Sequence, residues 1–378
     1  MTLSRRATLL GAGAGLALRT TGARAEDTLK IGVVSPLTGP AAESGQFKQN
    51  GMQLALDAVN AAGGVLGKKL ELVVEDDQTT NPGAVLAFSR LAGRDDIVAF
   101  IGPVRSTQVN SMAPDVLKAG KVMMIGGTDP SLTHLGNPWL FRCRPNDTYS
   151  AQVIAQFGVK ELNKRKWAVV FSTDTFGSNG NKALTAALEK EGIQPVLAQG
   201  YTNQQADFTP VVLAVRQSGA DILSSYFTYE NDLGVFARQV RQLGVRIPWV
   251  GSPSIANTTS LNLAGPALYG TYGVSDFSAD ASPAAKAYAE KYQAAYKSMP
   301  DIQSSWAFDA VNILAMAINA AKSTDPQAMR KAVIAIKGYG GAEGEYNFDE
   351  NGDGLHGYNI VRNDNGKIVF DRHIELTA

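Results

Sequence analysis

One cysteine, Cys143, stands in 378 residues, which excludes an intramolecular disulfide and any metal site built on paired thiolates. Histidine is nearly as scarce. His134, His356 and His373 share no metal-ligand spacing. Past the N-terminal segment no stretch reaches the ~18 uninterrupted apolar residues that a membrane-spanning helix needs. No G-x-S-x-G nucleophile elbow occurs either. We therefore expect no catalytic residues, no metal and no cofactor, and we do not expect an enzyme. A catalytic set assembled from distant residues stays open as an alternative, because a scaffold does not fix its chemistry.

What is present starts at the N-terminus. Ser4-Arg5-Arg6-Ala7-Thr8-Leu9 is followed by the small and apolar run Gly11 to Leu18 and by Ala23-Arg24-Ala25. A cationic start, a short apolar centre and an A-x-A site read as an export signal at 1–25, cleaved near Ala25. The paired arginines point to the twin-arginine route, although Thr8 stands where that signal usually has phenylalanine. No cysteine lies near the cleavage point to carry a lipid, so the expectation is a free periplasmic protein. Cleavage removes four arginines and no acid, so 35 basic residues become 31 against 35 acidic ones, a net charge of −4. A mildly acidic surface argues against nucleic acid as a partner.

From Leu29 onward short apolar runs alternate with amphipathic stretches, the pattern of parallel sheets with crossover helices. The first set of expected strands is Leu29–Val34, Leu70–Glu75, Ile97–Ile101 and Val122–Ile125, with a helix over Gly45–Ala62. A second set follows Cys143-Arg144-Pro145: Trp167–Phe171, Pro195–Gln199, Ile222–Ser225 and Ile247–Val250. Two doubly wound α/β lobes are expected. Helices at Pro283–Lys297, Ser304–Ala321 and Pro326–Ile336, then short strands near Tyr346, Tyr358–Val361 and Lys367–Phe370, have no complete sheet of their own. They should complete the earlier lobes, which gives lobe 1 as 26–144 plus 276–353 and lobe 2 as 145–275 plus 354–378. Three crossings near Arg144, Ser275 and Asp353 would form a hinge.

Several motifs suggest chemistry without carrying it. Gly11 to Gly15 is glycine-rich but lies in the export signal and follows no strand. Gly64-Val65-Leu66-Gly67-Lys68-Lys69 lacks the first glycine and the hydroxyl of a phosphate loop, and reads as a turn. Asp349-Glu350-Asn351-Gly352-Asp353-Gly354 matches half of a calcium loop, but Ile360 stands where a bidentate glutamate is required.

Ligands of open α/β sheets bind beyond the carboxyl ends of the strands, where helix N-termini present unpaired N–H groups. Two junctions here are suited to that. Gly102-Pro103-Val104-Arg105-Ser106-Thr107 follows one strand and Gly126-Gly127-Thr128-Asp129-Pro130 follows the next. Ser106 and Thr128 could hold a carboxylate together with backbone amides, and Gly126 and Gly127 permit close backbone approach. Each hydroxyl could equally be a plain helix N-cap.

These segments, with Ile31-Gly32-Val33-Val34-Ser35-Pro36-Leu37-Thr38-Gly39-Pro40, Asn60 to Gly67, Glu75-Asp76-Asp77 and Phe348-Asp349 to Gly354, resemble the leucine/isoleucine/valine-binding proteins of ABC importers over nearly the whole chain. The resemblance implies a type I periplasmic-binding fold, a small carboxylate-bearing ligand (an amino acid or a related organic or aromatic acid) and an inner-membrane ABC permease as partner to a monomer. It also implies that Ser106 and Thr128 hold the ligand carboxylate, that Gly126 and Thr128 add backbone groups, and that Phe176 and Tyr229 close over the ligand. Inter-lobe packing is the other role open to those rings. The sequence departs from the family at two places: Pro253 stands where an acid would meet the ligand's ammonium, and Ser44 replaces a tyrosine. Glu230 or Asp276 could substitute for the missing acid, and a surface or hinge role is open for each. A sensory or regulatory ligand-binding role remains the alternative function.

Overall fold

The computed structural model describes residues 28–134 and 136–376; the expected export signal lies outside them. The first sheet is built from β1 (Thr28–Ser35), β2 (Lys69–Asp76), β3 (Ile97–Ile101), β4 (Met123–Ile125) and β5 (Leu140–Arg142), in the order β2-β1-β3-β4-β5. All its pairings are parallel. Between its strands run α1 (Ala42–Ala61), α2 (Asn81–Ala92), α3 (Ser106–Ala119) and α4 (Ser131–His134). Ile31, Val33 and Val34 of β1 are wholly buried, as befits a parallel strand covered on both faces. Each such side chain contributes about 1.5–3 kcal/mol.

The second sheet starts after α5 (Asp147–Gln156), which runs on into a π-helical turn at Phe157–Glu161. Its strands are β6 (Trp167–Ser172), β7 (Leu197–Tyr201), β8 (Ile222–Tyr226), β9 (Trp249–Gly251) and β10 (Tyr272–Ser275), with α6 (Thr175–Lys190), α7 (Thr209–Gln217), α8 (Glu230–Gln242) and α9 (Thr258–Ala264) between them. The parallel part reads β7-β6-β8-β9-β10, so in chain order both sheets wind 2-1-3-4-5. Each places its switch point between its first and third strands.

The C-terminal third divides between the two halves. Helices α10 (Pro283–Tyr296), α11 (Ile302–Ala321) and α12 (Pro326–Ile334) precede a small ribbon of β11 (Tyr339–Gly340) and β12 (Glu345–Tyr346). Residues of α11 and α12, among them Trp306, Leu314, Met329 and Val333, share the core of the first sheet. Strands β13 (Gly357–Asp364), antiparallel to β10, and β14 (Lys367–Glu375), antiparallel to β13, extend the second sheet. That sheet is therefore mixed, with its parallel core intact.

The chain passes between sheets three times: between Arg142 and Asp147, after Ser275, and between Asp353 and Gly357. The first and last passages are tied together. Arg142 pairs with Asp353 at 2.8 Å, and Asn146 donates to the other Asp353 oxygen at 2.7 Å. Burial opposes charge on Asp353, yet Arg142, His134 and Asn146 together hold its carboxyl well below the usual range. Asp349 accepts from the amides of Asn351, Gly352 and Asp353. Asp349 thus caps its own turn and Asp353 is held by the crossing, while Ile360 lies buried in β13. Among the described residues no helix is long and apolar enough to cross a membrane, and no cluster of histidine, cysteine and acid has metal-binding form.

Candidate functional site

The carboxyl ends of the two sheets face one another, and the loops that leave them meet around a cavity of about 50 Å³. One wall comes from the first sheet: Val104, Arg105 and Ser106 follow β3, and Thr128 follows β4. The facing wall carries Phe176 after β6, Phe227, Thr228 and Glu230 after β8, and Pro253 after β9. Arg144 from the first crossing, with Ile302 and Gln303 at the start of α11, completes the enclosure. A site at both switch points follows from the winding order.

Local structure fixes each polar group. Arg105 is the N-cap of α3 and makes no side-chain cap bond, so Ser106 is the first helical residue. The Ser106 hydroxyl accepts from the Asp129 amide at 3.2 Å, linking the two junctions. Its own proton remains for another acceptor. Thr128 donates to Asp147 at 2.8 Å, and the Asp147 amide returns a bond to the Thr128 carbonyl. Burial pushes the Asp147 carboxyl up to about 6 against the bonds from Thr128 and Ser150. Neither hydroxyl serves as an N-cap.

Two buried guanidinium–carboxylate pairs frame the cavity. Arg105 crosses from the first wall to the second, donating to the Thr228 carbonyl and, at 3.0 Å, to Glu230 Oε2. Its guanidinium lies 4.6 Å from the centre of the Tyr229 ring, a cation–π contact. Ser44 donates to the other Glu230 oxygen at 3.3 Å. Arg144 binds both oxygens of Asp276 and the Gly126 carbonyl at 3.1 Å. Burial would lower the Arg144 pKa, but Asp276 outweighs it and the guanidinium is held firmly charged.

The family model described as Periplasmic binding protein matches residues 28–367. This chain belongs to that family. Leu/Ile/Val-binding protein homolog 3 of Brucella melitensis is 30% identical over 347 residues, covering 90% of this chain and 93% of that one. A type 1 periplasmic binding protein of Bordetella pertussis has a solved structure with a TM-score of 0.85 at 27% identity, covering 91% of this chain and 100% of the other. A leucine-binding protein of Thermotoga maritima superposes with a TM-score of 0.86 at 24% identity, over 92% of this chain and 99% of that one. The likeness spans both sheets, so the fold is the type I periplasmic-binding fold.

Within this periplasmic binding protein, Ser106, Thr128, Phe176 and Glu230 line the one cavity, and Pro253 faces them. Tyr229 does not line it; its ring supports Arg105. Gly126 and Gly127 lie behind the wall. A side chain at Gly126 would meet the Trp306 indole at 2.6 Å, and one at Gly127 would meet Leu132 at 2.8 Å and the Ser106 Cα at 3.2 Å. Their carbonyls are held by Arg144 and Arg142. Their small size thus serves packing around the site. Asp276 sits at the second crossing with Arg144, and not in the cavity wall.

Sequence reasoning missed Arg105, Arg144, Gln303 and Asn257. Arg105 carried a usable signal: a charged residue at the carboxyl end of an apolar strand, directly before the candidate Ser106. Lys48 was also missed. It is wholly buried on α1, donating to the Val34 and Gly102 carbonyls at 2.6 and 2.7 Å. Burial lowers its pKa to about 7, and it braces the ends of β1 and β3 beneath the cavity.

Proposed function

We propose that this protein is the exported substrate-binding component of an ABC importer of the branched-chain amino acid type, capturing a small carboxylate-bearing solute between its lobes and releasing it unchanged to an inner-membrane permease. The division proposed is 26–144 plus 276–353 against 145–275 plus 354–378, with segment 1–25 cleaved on export and the mature protein acting as a monomer. The observation that carries the reading is the meeting of both switch points at a single cavity with hydroxyl and guanidinium donors on its walls.

In this reading the solute's carboxylate is received by Ser106 and the amides around Thr128, near the N-terminus of α3. Phe176 and Phe227 flank its apolar part. A cavity of about 50 Å³ is well below the ~300 Å³ of ordinary ligand pockets, so the lobes open about the three crossings to admit it. Closure around bound solute gives the form that the permease recognises. The Brucella relative is named for leucine, isoleucine and valine, which supports a small carboxylate as the ligand class.

Calorimetry with a panel of amino acids and their des-amino and aromatic carboxylate counterparts tests the reading. Binding of at least one carboxylate is expected, and Ser106→Ala combined with Thr128→Ala should weaken it at least tenfold: the first removes a bond to a charged group that contributes about 1.5–3 kcal/mol, and the second releases Asp147 beside the solute carboxylate. Failure of the whole panel to bind, or unchanged affinity in the double variant, contradicts it.

A further inference from the structure

We infer that Arg105 is a resident cation filling the cation subsite of the cleft, and that the solute taken there is an apolar carboxylate without an α-ammonium group. This rests on the carboxylate reading above and adds the class within it. A carbonyl, a carboxylate and an aromatic face are the three partners that a ligand ammonium would seek. Here the Thr228 carbonyl, Glu230 and the Tyr229 ring are all occupied by one guanidinium of the same chain.

The side-chain carboxylates and amides of the cavity wall are engaged as well, while the unpartnered carboxylate oxygens of Asp77 and Glu343 lie outside it. Asp276 gives both oxygens to Arg144. The Gln303 side-chain oxygen accepts from the Trp306 indole at 3.1 Å, and that of Asn257 from the Ser260 amide at 2.7 Å. Asp301, next to Ile302, caps α11 by accepting from the Gln303 and Ser304 amides. Pro253, in the facing wall, carries no charge.

Within the wall the unused capacity is on the donor side. Arg105 is 8% exposed, and its Nε–H is buried without a partner among the described residues. Ser106 accepts from Asp129 and keeps its proton. A buried site with spare donors and committed acceptors suits an anion and penalises an ammonium that would be left unpaired. Val104, Phe176, Phe227, Pro253 and Ile302 give the walls an apolar character, so the anion is an aliphatic or aromatic monocarboxylate.

The test is calorimetry on the mature protein with ligand pairs that differ only in the ammonium: leucine against 4-methylpentanoate, and phenylalanine against 3-phenylpropanoate. Wild type should favour the des-amino member of at least one pair by about tenfold or more. Arg105→Met frees Glu230 and should shift the preference toward the amino acid; adding Glu230→Gln should abolish that shift. Arg105→Lys, which keeps the charge, should retain the wild-type preference and guards against a folding defect in the methionine variant. Equal or tighter binding of the amino acids by wild type, or an unchanged preference in a folded Arg105→Met protein, overturns the inference and leaves the carboxylate reading standing. Binding of neither series overturns the inference, and failure of the whole carboxylate panel overturns both.

Discussion

Arg144–Asp276 and Arg105–Glu230 are the same chemistry in two settings. At the crossing, Arg144 meets both carboxylate oxygens of Asp276 and the Gly126 carbonyl. In the cleft, Arg105 gives Glu230 a single bond, gives another to a backbone carbonyl, and leaves Nε unpartnered. The hinge pair engages both oxygens of Asp276 and joins two of the crossing segments. The cleft pair spans the two walls, and in the proposed opening of the lobes water would replace either partner. On that reading one pair is structural, and the other is exchangeable.

The largest expected effect breaks the first pair. Arg144→Ala strands Asp276 beside buried Glu343, whose carboxyl is already pushed well up by burial and by Asp276. Unfolding in urea should show a loss of about 3–5 kcal/mol. Gly126→Ala comes next, because a methyl cannot fit 2.6 Å from the Trp306 ring; a loss of about 1–3 kcal/mol is expected from overpacking. Arg105→Ala should cost only about 1 kcal/mol by the same assay, because opening the cleft rehydrates Glu230. A loss equal to that of Arg144→Ala would erase the distinction between the pairs.

The smallest effect concerns pH. Burial pushes Asp301 up to about 7 against its two amide bonds. A carboxyl raised on folding binds more protons in the native state, so its stabilisation is present below the unfolded value near pH 4 and is lost as pH rises through about 7. Asp301→Asn keeps the helix cap and removes the charge. It should flatten the fall in Tm between pH 4 and pH 8, as followed by circular dichroism; an unchanged slope would place the titration elsewhere.

Much of the architecture was legible because parallel strands buried on both faces are written as apolar runs. β1, β3, β6 and β8 begin at or within a residue of the expected positions, and the late helices α10 to α12 were expected within a few residues. Strands β5 and β10 were not found. Leu140–Arg142 has only three residues and ends in a charge, and Tyr272–Ser275 has one aliphatic side chain in four; their strand state comes from their neighbours in the sheet.

The candidate site was legible only in part. Hydroxyls and glycines at two strand ends are a local signal, and they do converge on one place. Arg105 with Glu230 is a pairing of residues 125 apart in sequence, fixed by how two lobes face each other and by no local pattern. The same holds for Gly126, whose reason for being glycine is Trp306, far along the chain on α11.

Mass spectrometry of the solute released by denaturing protein purified from its native periplasm tests the central claim most directly. The account predicts an apolar carboxylic acid without a basic nitrogen, absent from the Ser106→Ala, Thr128→Ala variant. Recovery of an α-amino acid in stoichiometric amount would contradict it.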